Sequence, residues 1–142
     1  MEPKNYMARE VTTNVKYNWI DKIVMVAEDI EINFLYIKEL LEPTGAIIIH
    51  VENGKEAVDY IKNGNKIDLV LMDLLMPVMN GYEATRQIKS LQKEIPVIAQ
   101  TAYSLSEDRK HAMEAGCDDY ITKPIGREEL LSKINNIFLT QV

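Results

Sequence analysis

Cysteine is almost missing from this 142-residue sequence, where Cys117 stands alone. One thiol excludes an internal disulfide and fits a reducing compartment. With no histidine motif beside it, Cys117 reads as a small, partly buried residue and not as a reactive one. Histidine is scarce too: His50 and His111 have no ligand-spaced partner and read as structural or solvated. Positive charge is in deficit, with 16 basic against 22 acidic residues, a net charge of −6 and no basic cluster. Direct binding to nucleic acid or to an anionic membrane is therefore disfavoured. No apolar run approaches the ~18 residues of a membrane span, and the N-terminus lacks a signal-peptide core. The expectation is a soluble, cytoplasmic chain, or the cytoplasmic piece of something larger.

What is present is ordinary in amount and specific in arrangement. The hydrophobic and charged fractions, 46% and 27%, are those of a globular protein. One domain of this length buries roughly 68–70% of its unfolded surface. Residues 1–20 are largely polar and are expected to be a tail or inter-domain linker, with Trp19 and Ile20 at the domain edge; 21–142 form the folded unit. Five short apolar runs predict buried strands at Lys22 to Ala27, Ile47 to Val51, Leu69 to Asp73, Ile95 to Ala99 and Asp119 to Thr122.

Helical periodicity fills the gaps. The first helix begins at Glu31 and turns Phe34, Ile37, Leu40 and Leu41 inward, and the second is capped by Asn53 and buries Ala57, Val58 and Ile61. The third opens at Asn80-Gly81 and buries Ala84, Ile88 and Leu91. The fourth has capping-box spacing at Ser104-Leu105-Ser106-Glu107 and a thin apolar face of Leu105, Ala112 and Met113, which predicts loose attachment. The last, Arg127 to Phe138, carries a stripe of Leu130, Leu131, Ile134, Ile137 and Phe138. Alternating strands and helices call for an α/β fold, a doubly wound (βα)5 three-layer sandwich with a parallel sheet and right-handed crossovers.

In such a sheet Glu28-Asp29, Asp73, Thr101 and Lys123 fall at or just past the ends of strands one, three, four and five, on one edge. That edge is where open α/β sheets gather chemistry. Three carboxylates about 5 Å apart repel by roughly 3 kcal/mol per pair at an effective dielectric near 20. A hard divalent cation with oxygen ligands, Mg²⁺ above all, answers this, and Lys123 supplies a second positive charge. Each residue alone would pass as a helix cap or a solvated turn. Four strand ends converging on one chemistry predict that Asp73 is a nucleophile accepting a phosphoryl group, with positioning and electrostatics carrying the step.

At Ala27-Glu28-Asp29, Met72-Asp73, Met76-Pro77-Val78-Met79-Asn80-Gly81, Thr101-Ala102 and Ala115 to Pro124 the sequence closely resembles the receiver domain of two-component response regulators, over about Lys22 to Phe138. The resemblance implies a flavodoxin-like fold with sheet order 2-1-3-4-5 and phosphorylation of Asp73 from a phosphohistidine. It implies Mg²⁺ (or Mn²⁺) held by Glu28, Asp29, Asp73 and the Leu75 backbone carbonyl, with Asp29 the direct ligand of the acidic pair. It also casts Thr101 and Tyr120 as the switch pair, Lys123 as the phosphate-pairing cation and Lys123-Pro124 as a cis peptide. Leu75 and Tyr103, each two residues past a key position, flank the path of an attacking water; neither orients water well, which predicts slow self-dephosphorylation.

Asn33-Phe34, Tyr82 to Arg86 and Asp119 to Pro124 most resemble receivers of hybrid sensor histidine kinases. In that setting residues 1–18 link to a kinase core, the parent chain is a membrane-bound sensor kinase, and the domain is a switch and not a turnover enzyme. The partners implied are a kinase dimerisation and phosphoacceptor domain and a histidine-containing phosphotransfer protein, with room for a homodimer through helix 4, strand 5 and helix 5. A stand-alone regulator is the alternative. Asn80, where Asp is common, and Gln100, where an apolar residue is usual, depart from the pattern and bear on partner choice. A haloacid-dehalogenase-like phosphatase would need an acid at Leu75, and a flavin domain's phosphate would be repelled by Glu28-Asp29. A degenerate, unphosphorylated module would not need the complete residue set.

Overall fold

Parallel strands need a long crossover between them, and this chain places a helix in each. In the computed structural model, which describes residues 17–102 and 106–141, strands β1 (Ile23–Ala27), β2 (Ile47–Val51), β3 (Leu69–Asp73), β4 (Val97–Thr101) and β5 (Asp119–Thr122) form one sheet. Every pairing is parallel and the order is β2-β1-β3-β4-β5. Helices α1 (Glu31–Leu41), α2 (Gly54–Lys62), α3 (Gly81–Leu91), α4 (Ser106–Ala115) and α5 (Arg127–Leu139) follow the strands in turn. This is the flavodoxin-like doubly wound sandwich that the alternation and the resemblance predict.

Side chains alternate across a strand, so β3 feeds two cores. Val70 and Met72 pack with Ala57, Val58, Ala84, Ile88 and Ala112 from α2, α3 and α4. Leu69 and Leu71 pack with Ile37 and Leu41 of α1 and Leu130, Leu131 and Ile134 of α5. Every residue of β3 is buried, which is why its sequence is an unbroken apolar run. The Asn53 cap forms as the sequence predicts, and Asn80, where the third helix is expected to open, caps it in the same way. The Asn53 and Asn80 side chains accept hydrogen bonds from the Glu56 and Glu83 backbone N–H groups.

Several details differ from the sequence reading, the smallest being that the first strand begins at Ile23 and not at Lys22. The fourth strand is shifted two residues toward the C-terminus: Pro96 stands just before it, its carbonyl accepting from Val70 N–H at 2.9 Å, and the ladder continues through Gln100 and Thr101. Leu91 and Met113 are exposed, because the inner rows of their helices run through Ala84, Thr85 and Ile88 and through Ala112 and Ala115. With so small a buried face, α4 rests on methyl groups. Ser104 and Leu105 lie outside the described residues. Trp19 is buried in the α1/α5 core, edge-on to Phe138 at 5.3 Å with its Nε1 donating to Asn135, while Ile20 is exposed. Cys117 is fully buried beside the Thr85 hydroxyl.

Candidate functional site

All five strands point the same way, so their C-terminal ends share one edge. Glu28 follows β1, Asp73 ends β3, Thr101 ends β4 and Lys123 follows β5. Glu28, Asp29 and Asp73 each offer one carboxylate oxygen, and these three oxygens lie within 4.8 Å of one another. The Lys123 ammonium is 3.1 Å from Glu28 Oε1 and 3.2 Å from Asp73 Oδ2. Glu28 and Asp73 are both buried. One ammonium among three carboxylates leaves the cluster two negative charges in excess.

The titration shifts reflect this crowding. Burial, and then the charge of Asp73, push the Glu28 carboxyl above its ordinary value, against the opposing pull of the Ile30 N–H and of Lys123. Burial by itself would lower the Lys123 value, but the charges of Asp73 and Glu28 outweigh it and hold the ammonium protonated. The cluster is a set of hard oxygen donors with surplus negative charge, which suits Mg²⁺.

Local devices aim these groups. Glu28 Oε2 accepts from the Ile30 N–H at 3.2 Å, and its backbone carbonyl is bonded to His50 Nε2 at 2.8 Å. A carbonyl only accepts, so His50 donates there; its ring stacks on Phe34 at 3.7 Å. His50 thus braces the acidic turn from β2, a role its lone place in the sequence did not signal. Asp73 Oδ1 accepts from the Leu75 N–H at 3.1 Å. Past it, Gly81 N–H bonds the Leu74 carbonyl at 3.0 Å, and a Cβ at Gly81 would collide with the Asp73 carbonyl, so only glycine fits. Between them Met79 N–H bonds the Pro77 carbonyl across Val78, which has φ +68°, a strained γ-turn for a β-branched residue.

The remaining candidates occupy the β4–β5 side. Thr101 is buried, and its backbone carbonyl accepts from the Lys123 N–H at 2.7 Å, tying the end of β4 to the loop that carries the lysine. The Lys123-Pro124 peptide is cis. Tyr120 is half-buried against the α2–α4 core, and the Arg109 guanidinium of α4 sits 5.0 Å from its ring centre. The Leu75 side chain is exposed. Tyr103 lies outside the described residues. Gln100 is wholly buried in β4. A second polar anchor that sequence reasoning passed over is Asp118, whose carboxylate accepts from Lys89 Nζ at 2.7 Å and from Val97 N–H at 2.8 Å, fixing the start of β4.

Comparison with known proteins places this geometry. The chain is 40% identical over 124 residues to the hybrid signal transduction histidine kinase I of Dictyostelium discoideum, covering 82% of this chain but 7% of that protein. It is 36% identical over 117 residues to the polar-differentiation response regulator DivK of Brucella anthropi, covering 81% of this chain and 94% of DivK. Among solved structures, the receiver domain of sensor histidine kinase PA1611 from Pseudomonas aeruginosa, with a magnesium ion coordinated in its active-site cleft, is 33% identical with a TM-score of 0.75, over 81% of this chain and 95% of that one. The Saccharomyces cerevisiae Ssk1 receiver, crystallised with the phosphotransfer protein Ypd1, is 30% identical with a TM-score of 0.80, over 90% of this chain and 94% of that one. Residues 24–135 match the response regulator receiver domain as a family. That span contains the acidic edge, the lysine that pairs with it and all but the first residue of the five strands, and the chain accordingly belongs to the response regulator receiver family of two-component signalling.

Proposed function

We propose that Asp73 is the phosphoacceptor of a phosphorelay. The observation that carries this is the meeting of Glu28, Asp29 and Asp73 within 4.8 Å around one lysine. An Asp73 carboxylate oxygen attacks phosphorus in line; the P–N bond of a phosphohistidine donor breaks, and its electron pair returns to the imidazole, which takes up a proton. Mg²⁺, held by Glu28, Asp29, Asp73 and the Leu75 carbonyl, would neutralise the transferring oxygens. Lys123, already within bonding distance of Asp73, then pairs with the phosphoryl group. The donor set supports Mg²⁺, and nothing in it singles out Mn²⁺.

Thr101 and Tyr120 relay the change. A hydroxyl drawn toward the phosphoryl oxygens shifts the end of β4, and Tyr120 turns inward. The Arg109 contact to Tyr120 passes this to α4, which so few buried groups hold in place. The α4-β5-α5 surface is thereby the output face, and the one a homodimer would use. Apolar side chains exposed around the acidic edge, Ile30, Ile32 and Leu35 near one side and Leu75 and Val78 on the other, support docking of a kinase phosphoacceptor domain or a phosphotransfer protein over Asp73. Leu75 and Tyr103 offer no water-orienting acid or amide, so the phosphoryl group is long-lived.

The setting we favour is the receiver of a hybrid sensor histidine kinase at the cytoplasmic side of a membrane, supported by the likeness to the PA1611 receiver and the Dictyostelium kinase. Among the described residues no helix is long and apolar enough to cross a membrane. A stand-alone regulator is the second reading, because DivK is matched over 94% of its length. The phosphatase alternative is not favoured, since Leu75 stands where its acid would be. Transfer from a radiolabelled phosphohistidine of a phosphotransfer protein tests the reading: label should move to this chain and not to Asp73→Asn, and equal labelling of both would refute it.

A further inference from the structure

Gln100 is the one described residue whose buried side-chain polar atoms have no hydrogen-bond partner among the described residues: neither its Oε1 nor its Nε2 is satisfied. It lies in β4 two residues past Ile98, on the face toward α1 and α5. Leaving both ends of a buried carboxamide unbonded is costly, so such a group calls for an explanation. Gln100 lines a cavity of about 210 Å³ between α1 and the loop after β5. The other walls are mostly apolar, from Ile32, Tyr36, Ile37, Pro124 and Ile125, with Asn33 a neutral polar residue among them. The Tyr36 hydroxyl is already committed, donating to the Ile125 carbonyl. Glu28 and Lys123 line the side shared with the acidic site.

We propose that this cavity binds a small neutral molecule carrying a carboxamide on an apolar body. Gln100 presents an acceptor oxygen and a donor NH₂ side by side, and the group that answers both at once is another amide, in a paired two-bond contact. The apolar walls take the body of the ligand, and they disfavour an ion, which would give up its hydration against hydrocarbon. A single water bonds one end of the carboxamide at a time, whereas an amide answers both ends together. The volume falls below the ~300 Å³ at which sites for drug-sized ligands begin, so the ligand is small. Bound there, it sits against Lys123 and Glu28, one side chain from Asp73.

Benzamide is the probe. Titrated into the whole, metal-free chain and followed by NMR, it should shift the Gln100 side-chain NH₂ and the methyl groups of Ile32, Ile37 and Ile125 saturably, with direct contacts between its amide protons and the Gln100 side chain. Gln100→Leu and Gln100→Met each keep the walls and remove the amide, and should weaken benzamide by about tenfold or more, a loss of ~1.4 kcal/mol. Toluene, which lacks the amide, should bind the variants no more weakly than it binds the unaltered chain. Absence of a saturable shift at Gln100, or undiminished benzamide affinity in the variants, would overturn the proposal. If neither variant folds, the direct contacts in the unaltered chain decide it in the same way.

Discussion

Replacing Asp73 with asparagine should stabilise the metal-free protein while abolishing its chemistry. Asp73 has an oxygen within 4.8 Å of both Glu28 and Asp29, and each such contact costs about 3.5 kcal/mol at an effective dielectric of 20. Solvent screening at Asp29 reduces its share. Against them stands the Lys123 contact at 3.2 Å, worth about 5 kcal/mol on the same scale. The pair terms cancel to within about 2 kcal/mol, so desolvation decides the sign. A buried carboxylate loses more hydration than an amide does. Asparagine keeps an acceptor for the Leu75 N–H, and Lys123 keeps Glu28 at 3.1 Å. The expected gain is ~1–2 kcal/mol, or about 4–8 °C in Tm at ~4 °C per kcal/mol. Thermal melts followed by circular dichroism in EDTA would show it. Mg²⁺ at 100 times its Kd should then raise the unaltered chain by about 2.7 kcal/mol and Asp73→Asn by much less, closing or reversing the gap. An Asp73→Asn variant that is less stable in EDTA, or that gains as much from Mg²⁺, would refute the argument from charge crowding.

Lys123→Ala should still bind Mg²⁺, and more tightly, because the competing ammonium is gone, yet it should show no phosphodonor-dependent change in Tyr120 signals by NMR. Gly81→Ala should cost about 1–3 kcal/mol in denaturant melts, since its Cβ meets the Asp73 carbonyl backbone and not a side chain that can turn away. Burial pushes the Cys117 thiol up to about 11 from 9.0, so the folded state holds its proton more tightly than the unfolded chain. That stabilisation is complete below pH ~9 and is lost as pH rises toward 11, by up to about 2.7 kcal/mol. Comparing the unaltered chain with Cys117→Ala at pH 7.5 and 10.5 should show the steeper alkaline loss in the former.

Much of the fold was legible because periodicity is local. The β3 run Leu69 to Asp73 and the α5 stripe state their own burial, and three of the five strand ranges follow from it directly. What was not legible depends on partners distant in sequence. The run from Ile95 reads as a strand with Pro96 near its start, but the register with β3 begins at Val97. Leu91 and Met113 have the chemistry of core residues, and only the line of contact of their helices leaves them outside. Trp19 reads as an edge residue until Phe138 and Asn135 come to meet it. At the site, the acids and the lysine could be placed on one edge by strand counting alone. The bracing of Glu28 by His50, the γ-turn at Val78 and the unanswered carboxamide of Gln100 required coordinates, because a hydrogen-bond partner on another strand leaves no mark in one sequence.

The most direct test of the account is the intact mass of the chain after incubation with acetyl phosphate. With Mg²⁺ present the unaltered chain should gain a single phosphoryl group, labile to hydroxylamine, and it should gain none in EDTA or as Asp73→Asn. Phosphorylation that persists without a divalent cation, or that maps to any residue other than Asp73, would contradict the central claim.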